Sequence, residues 1–476
     1  MSLYDTYQRI SPVDGSITWS GDLASQDQVE RAAVRSCEAF ANWSKTTLDE
    51  RAAIAVAFGA FLQSNRGAIS KTITLEAGKP LWESDLEVQS AISKVANAIE
   101  AIKSRRWKTT DGSKEAASVV RYRPLGMMVV LGPYNLPLHL PGAHIVPALL
   151  AGNTILFKPS EKSPAVGDWI MRAWQAANLP KDVLNCIHGA AEQARTAVSL
   201  PQTAGVLFTG SHAAGLQIHK QLAGRPDCLL ALEMGGNSPL VVDRIGDRRA
   251  AIQTIIQSAY ITSGQRCTCA RRLIVVNHKE NKGFLEELSR SIGKIRVDNP
   301  LSDPQPFMGT LVSDQAARSI LEAQSALNSN GAMILNEVTL VGNHDAMLSP
   351  GLTVSTSSSQ VDEEHFGPLL VARTAHDLDE AITLANQSRY GLAAGLLSDD
   401  PESFSYFVEN VNAGIINWNC PTTGASGKQP FGGIGASGNH RPSGSFAADY
   451  CSYPVASIEN QVLAANSKLS PGLEQI

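Results

Sequence analysis

An α/β fold built on parallel sheets is the class this sequence predicts, and three observations predict it. From residue 127 onward, short apolar runs recur at 127–131, 154–157, 183–188, 205–208 and 229–232, with helix-like stretches such as 167–177 and 213–222 between several of them. Such alternation makes the strands parallel, because each crossover needs a covering helix. A looser α/β rhythm follows, with strand-like runs at 273–276, 369–374, 393–397 and 414–418 and helical stretches at 377–387 and 401–410. Finally, hydrophobic residues make up 43% of the 476 and charged residues 18%, which gives material for a sizeable core and argues against disorder.

The first hundred residues read as helices. Ser25 with Gln28 forms a capping box ahead of Val29, Ala33, Cys37 and Phe40, and Thr47 with Glu50 repeats it ahead of Ile54, Phe58, Phe61 and Leu62. Gly78 and Pro80 stop a helix after 74–77. Asp111 and Gly112 read as a turn, and 117–122 as a strand with no helix after it, an edge free to pair with another element. No internal repeat or low-complexity linker divides the chain, so its domains are expected to interleave.

Composition narrows the partners. The net charge is −5 and no long Lys/Arg run occurs, which argues against nucleic acid. No segment approaches a membrane span, and residues 1–15 show no apolar leader. Seven scattered cysteines fit a reducing cytoplasm rather than a disulfide framework. The ten histidines show no ligand spacing, so no metal is assigned.

Chemistry concentrates after the strands, where parallel sheets place their ligands. Cys267 lies in S-G-Q-R-C-T-C-A-R-R, between an expected helix over 250–262 and the strand at 273–276. A thiol on such a turn can face a cleft with its own N–H as a nearby donor, although a lone Cys is more often a small core residue. Pro133, Tyr134 and Asn135 follow the first strand, and the Asn135 amide can aim at an oxyanion or simply make a turn. Lys158, Ser160 and Glu161 follow the second, where Lys158 and Glu161 suit ribose hydroxyls; an acid there favours NAD over NADP. Gly210, Ser211 and Gly215 open a helix whose N-terminus suits a pyrophosphate, without the usual dinucleotide spacing. Glu233, before Met234 and Gly235, is a carboxylate by an apolar strand end and a candidate general base. Glu364 and Phe366 could meet a second ribose and a nicotinamide face. Each cluster alone also reads as an ordinary loop.

Together, in this order, these clusters resemble the aldehyde dehydrogenase superfamily over almost the whole chain. The runs 264–272, 144–153 and 435–443 narrow the resemblance to its bacterial branch acting on N-succinylglutamate 5-semialdehyde in arginine catabolism. The resemblance implies two Rossmann-like parallel-sheet domains and a small oligomerisation arm. The cofactor domain would span 1–110 and 127–234, the catalytic domain 235–440, and the arm and C-terminal segment 111–126 and 441–476. It implies Cys267 as nucleophile, Glu233 as base, and Asn135 with the Cys267 N–H as oxyanion hole. Pro133, Tyr134, Lys158, Ser160, Glu161, Gly210, Ser211, Gly215, Met234, Gly235, Glu364 and Phe366 would meet NAD, with NADP as the alternative to it. A small aldehyde is the implied substrate, oxidised by way of a thiohemiacetal and a thioester, and a homodimer or homotetramer the implied assembly. The alternative substrate is a medium- or long-chain aliphatic aldehyde. Two departures are visible: Cys420 stands where the near branch carries a lysine, and the N-terminus looks short of an opening strand pair. His440 and Arg441 remain as candidates to hold a substrate carboxylate.

Overall fold

The computed structural model describes residues 6–105, 109–112, 116–355, 362–463 and 470–473. Both capping boxes form. Ser25 and Gln28 cap α1 (Gln26–Trp43) reciprocally, and Thr47 and Glu50 do the same for α2 (Leu48–Ser64). Helix α3 (Arg66–Ala77) stops at Gly78, whose φ of 80° is left-handed and whose Cα packs against Thr310 with no room for a side chain.

After Pro80 the chain enters α4 (Leu81–Arg105). Its buried stripe of Ser84, Val88, Ala91, Val95, Ala98 and Ile102 recurs every three or four residues, as an amphipathic helix requires. Glu83, Glu87 and Lys94 lie in the same buried stripe.

An opening strand pair is present, contrary to expectation. Tyr7–Ile10 pairs antiparallel with Ile17–Gly21. Tertiary contacts hold it: Tyr7 Oη donates to the Glu161 carbonyl at 2.8 Å, and Trp19 Nε1 donates to Asp168 at 3.0 Å. Short strands with so little apolar alternation carry no clear local signal.

Five parallel strands form the first sheet, in the order Leu184–Cys186, Thr154–Lys158, Met127–Leu131, Thr203–Gly210, Leu229–Met234. Alternate residues serve two cores. Met128, Val130, Ile155 and Phe157 join α2, α4, α5 (His139–Leu150) and α6 (Pro164–Ala176) on one face. Met127, Val129, Leu131 and Leu156 join α1, α7 (Ala191–Ser199) and α8 (His212–Gln221) on the other. Burial on both faces explains the unbroken apolar runs.

Seven strands form the second sheet, in the order Met333–Asn336, Gly351–Val354, Leu369–Ala375, Ala270–Val276, Ser238–Val242, Ala393–Leu397, Ile415–Trp418. All its pairs are parallel except the first. Leu240, Leu273 and Val275 face one core, and Val241, Ile274 and Val276 the other.

A third, antiparallel sheet joins Ser452–Asn460 to Ala116–Pro124 and then to Thr109–Gly112. The expected turn at Asp111 and Gly112 is therefore the end of a strand. The arm expected at 111–126 and 441–476 runs partly through 113–115, 464–469 and 474–476, which lie outside the described residues, as do 1–5 and 106–108 of the first segment. No helix among the described residues is long and apolar enough to cross a membrane.

Candidate active site

The carboxyl ends of four strands in the first sheet deliver loops to the cleft that Cys267 lines. Helix α9 (Arg248–Tyr260) ends ahead of Cys267 in a short 3-10 segment, Ile261–Gly264, with φ of 58° at Thr262, 50° at Ser263 and 74° at Gly264. Left-handed backbone at a β-branched residue costs on the order of 1–3 kcal/mol and persists only where surroundings over-determine it. Glu83 does so here. Its carboxylate accepts from the Thr262 N–H at 3.1 Å, from the Thr262 hydroxyl, and from Arg266 Nη2 at 2.8 Å. Gly264 is required because a side chain there would overlap the Gly367 carbonyl.

Asn135 is held through Glu87 of α4, the helix that also carries Glu83. Its carbonyl accepts from Lys79 Nζ at 3.0 Å, and Lys79 pairs with Glu87 in full burial. Glu87 also accepts from the N–H groups of Leu138 at 2.8 Å and His139 at 3.0 Å, capping α5 from outside its own chain segment. Asn135 Nδ2 donates to the Gln265 carbonyl at 2.9 Å. That nitrogen carries two protons. Among the described residues, Gln265 is its one acceptor, and the Cys267 N–H has none.

Glu233 is buried on the strand Leu229–Met234. Its Oε1 accepts from the Ser443 N–H at 3.0 Å, and its Oε2 is buried with no partner. Burial, partly offset by Ser443, pushes this carboxyl up to about 8. Burial, then the charges of Glu364 and Glu233, pushes the Cys267 thiol up to about 12. Burial also raises Glu364 to about 7, opposed by Arg271.

Cys267, Glu233 and Asn135 line one cleft of about 1030 Å³, together with Pro133, Tyr134, Lys158, Glu161, Gly210, Ser211, Met234, Gly235, Glu364 and Phe366. Lys158 Nζ donates to the carbonyls of Pro159 at 2.9 Å and Gly189 at 2.7 Å, and stands 3.6 Å from Glu161. Ser211 caps α8, its Oγ accepting from the Ala214 N–H. Glu364 accepts from the Gly236 N–H at 3.1 Å, and a side chain on Gly235 would overlap its carboxylate. Phe366 meets Tyr134 edge to face at 6.1 Å, with the Arg271 guanidinium 5.5 Å from its centre.

Four expected residues stand apart. Ser160 is buried beneath its loop, accepting from the Lys162 N–H at 3.2 Å. Gly215 packs under Met234, where an added Cβ would run into the sulfur and would be admitted only if that side chain moved. His440 and Arg441 are exposed and outside the cleft lining, with Arg441 turned back on the His440 carbonyl. Conversely, Arg195 and Lys220 do line the cleft, beside an apolar slot of Ala190, Ala194, Val198 and Ile218 between α7 and α8. Both are exposed charges on α7 and α8, and no local pattern in the sequence marks them as cleft-lining.

The sequence pattern of the aldehyde dehydrogenase family matches residues 2–454. The chain belongs to the aldehyde dehydrogenase family. It is an oxidoreductase acting on an aldehyde group. The N-succinylglutamate 5-semialdehyde dehydrogenase of Cronobacter sakazakii is 45% identical over 471 residues, 99% of this chain and 96% of that one. The enzyme of the same name from Legionella pneumophila strain Corby is 45% identical over 97% of this chain and 94% of its own. Among solved aldehyde dehydrogenases, the P. syringae indole-3-acetaldehyde dehydrogenase in complex with NAD+ superimposes with a TM-score of 0.90 at 26% identity, covering 96% of this chain and 93% of that one. Against that family background Cys420 is exposed and lies outside the cleft lining.

Proposed function

We propose that this aldehyde dehydrogenase oxidises N-succinylglutamate 5-semialdehyde to N-succinylglutamate with NAD, through covalent intermediates on Cys267. The observation that carries the chemistry is one cleft lined by a thiol, an unpartnered buried carboxylate oxygen and an amide with a proton to spare. The 45% identity to enzymes of that name over nearly the full length supports the substrate.

The residues present fit a nicotinamide dinucleotide. The slot between α7 and α8 accepts a flat base, the Ser211 end of α8 suits phosphate, and Glu161 and Glu364 suit ribose hydroxyls. When bound, the cofactor supplies the hydride acceptor for the oxidation. An acid at Glu161 disfavours a 2′-phosphate, which supports NAD over NADP, although Arg195 and Lys220 lie along the same cleft. On this reading residues 1–110 and 127–234 hold the cofactor, 235–440 carry the nucleophile, and 111–126 with 441–476 serve assembly.

Cys267 is the nucleophile. Its thiol proton passes to Glu233 as sulfur bonds the aldehyde carbon, giving a thiohemiacetal oxyanion. The second Asn135 amide proton and the Cys267 N–H donate to that oxygen. After oxidation, Cys267 carries a thioester. Glu233, having released the thiol proton to solvent, takes a proton from water as the water oxygen attacks the carbonyl. Collapse breaks the C–S bond and returns the thiolate and the carboxylic acid product. A retained Glu233 supports water rather than coenzyme A as acyl acceptor.

The test is NADH formation by the purified protein with N-succinylglutamate 5-semialdehyde and with decanal, each with NAD and NADP. The reading expects the acidic aldehyde with NAD to give the larger kcat/KM. Decanal ahead by a wide margin contradicts it.

A further inference from the structure

We propose that the Lys94 ammonium is the anchor for a carboxylate of the aldehyde substrate. This rests on the substrate reading above and names the group that would enforce it.

Lys94 lies on the buried stripe of α4, two turns beyond Glu87, and is only 5% exposed. Three buried or half-buried cations gather around the entrance of α5, and two of them already own a carboxylate. Lys79 has Glu87, and Arg266 has Glu83 at 2.8 Å. Among the described residues, Lys94 has neither an acidic partner nor a hydrogen bond. An unpaired buried charge is costly, so a protein retains one where something pairs with it in use. Burial alone pulls this amine down to about 8.

Position ties Lys94 to the reacting centre. His139 is four residues beyond Asn135, and Arg266 immediately precedes Cys267. The His139 ring is held down to about 3 by burial, then by the charges of Lys94, Arg266 and Lys79. His139 is therefore neutral, and its Nδ1 is buried without a partner. On the other side, Lys94 Nζ lies 3.6 Å from where a Gly427 side chain would begin, and Asn97 Nδ2 lies 2.8 Å from the same point. The strand Pro430–Phe431 follows that loop, and Phe431 lines the cleft. The free cation thus sits among α4, the start of α5 and the loop leading to Phe431; Lys94, His139 and Asn97 are not themselves in the cleft lining, which that loop reaches at Phe431, and on this proposal the far end of an acidic aldehyde passes Phe431 to meet the ammonium. The exposed His440 and Arg441 offer no such enclosure.

The experiment compares wild type, Lys94→Met and Lys94→Arg. Each is assayed with N-succinylglutamate 5-semialdehyde and with pentanal, and each is melted with and without N-succinylglutamate, which binds without turning over. Losing a charge-assisted contact is expected to lower kcat/KM for the acidic aldehyde by roughly 10- to 100-fold, mainly through KM. The loss should exceed that for pentanal at least tenfold, Lys94→Arg should recover part of it, and the melting shift caused by N-succinylglutamate should vanish in Lys94→Met. A variant that keeps both the acidic preference and the melting shift overturns the role of Lys94 and leaves the substrate reading standing. A wild type with no preference for the acidic aldehyde overturns both. If Lys94→Met does not fold, Lys94→Gln carries the same comparison.

Discussion

Glu83 accepts a hydrogen bond from Arg266 at 2.8 Å, so a helix far away in sequence holds the residue next to Cys267. The same carboxylate holds Thr262 in a left-handed conformation. Removing it leaves a buried guanidinium unpaired and releases the strained turn. Glu83→Ala is expected to destabilise the protein by about 3 kcal/mol and to slow the chemical step as Cys267 shifts. Thermal melting and single-turnover kinetics check both effects, and a normal single-turnover rate would show that Cys267 does not depend on Glu83.

Asn135→Ala removes the amide proton assigned to the oxyanion. Turnover should drop roughly 10²–10³-fold in kcat with a smaller change in KM. Loss confined to KM would place Asn135 in substrate binding instead.

Glu233 titrates near 8 because it is buried, so it is largely protonated at pH 6 and cannot accept a proton. The hydrolytic step should rise with pH and level off above about 8, and Glu233→Gln should flatten that limb. Stability runs the other way. The folded value lies above the free one of 4.5, so the carboxyl's contribution is full below about pH 4.5 and is lost as pH rises through about 8. The melting advantage of Glu233→Gln over wild type should therefore grow between pH 5 and pH 8.5.

Ile458 is 85% exposed on the three-stranded sheet, where it faces water with nothing over it in a single chain. We expect this sheet to be covered in a homo-oligomer. Ile458→Asp should lower the mass found by light scattering at micromolar concentration, and a wild type that runs as a monomer would remove the expectation.

Much of this site is legible in the sequence because its parts follow buried strands. Met127–Leu131 and Leu229–Met234 announce themselves as apolar runs, and Asn135 and Glu233 stand at their carboxyl ends. The supporting layer is harder to see. Glu83, Glu87 and Lys94 are charges placed on the apolar stripe of α4, a helix-period signal that becomes meaningful only once the stripe of Val88, Ala91 and Val95 is assigned. His440 and Arg441 have the right chemistry for a carboxylate but sit at the surface, His440 in a left-handed turn with φ of 62°. The strand pair at Tyr7 and Trp19 is set by partners about 150 residues away, which no local pattern encodes.

The most direct measurement is peptide mass spectrometry of Glu233→Gln quenched in acid during turnover with N-succinylglutamate 5-semialdehyde and NAD. The account predicts an acyl adduct on the peptide beginning at Cys267 that is absent from Cys267→Ala. Turnover with no adduct there, or with the adduct on another cysteine such as the exposed Cys420, would contradict it.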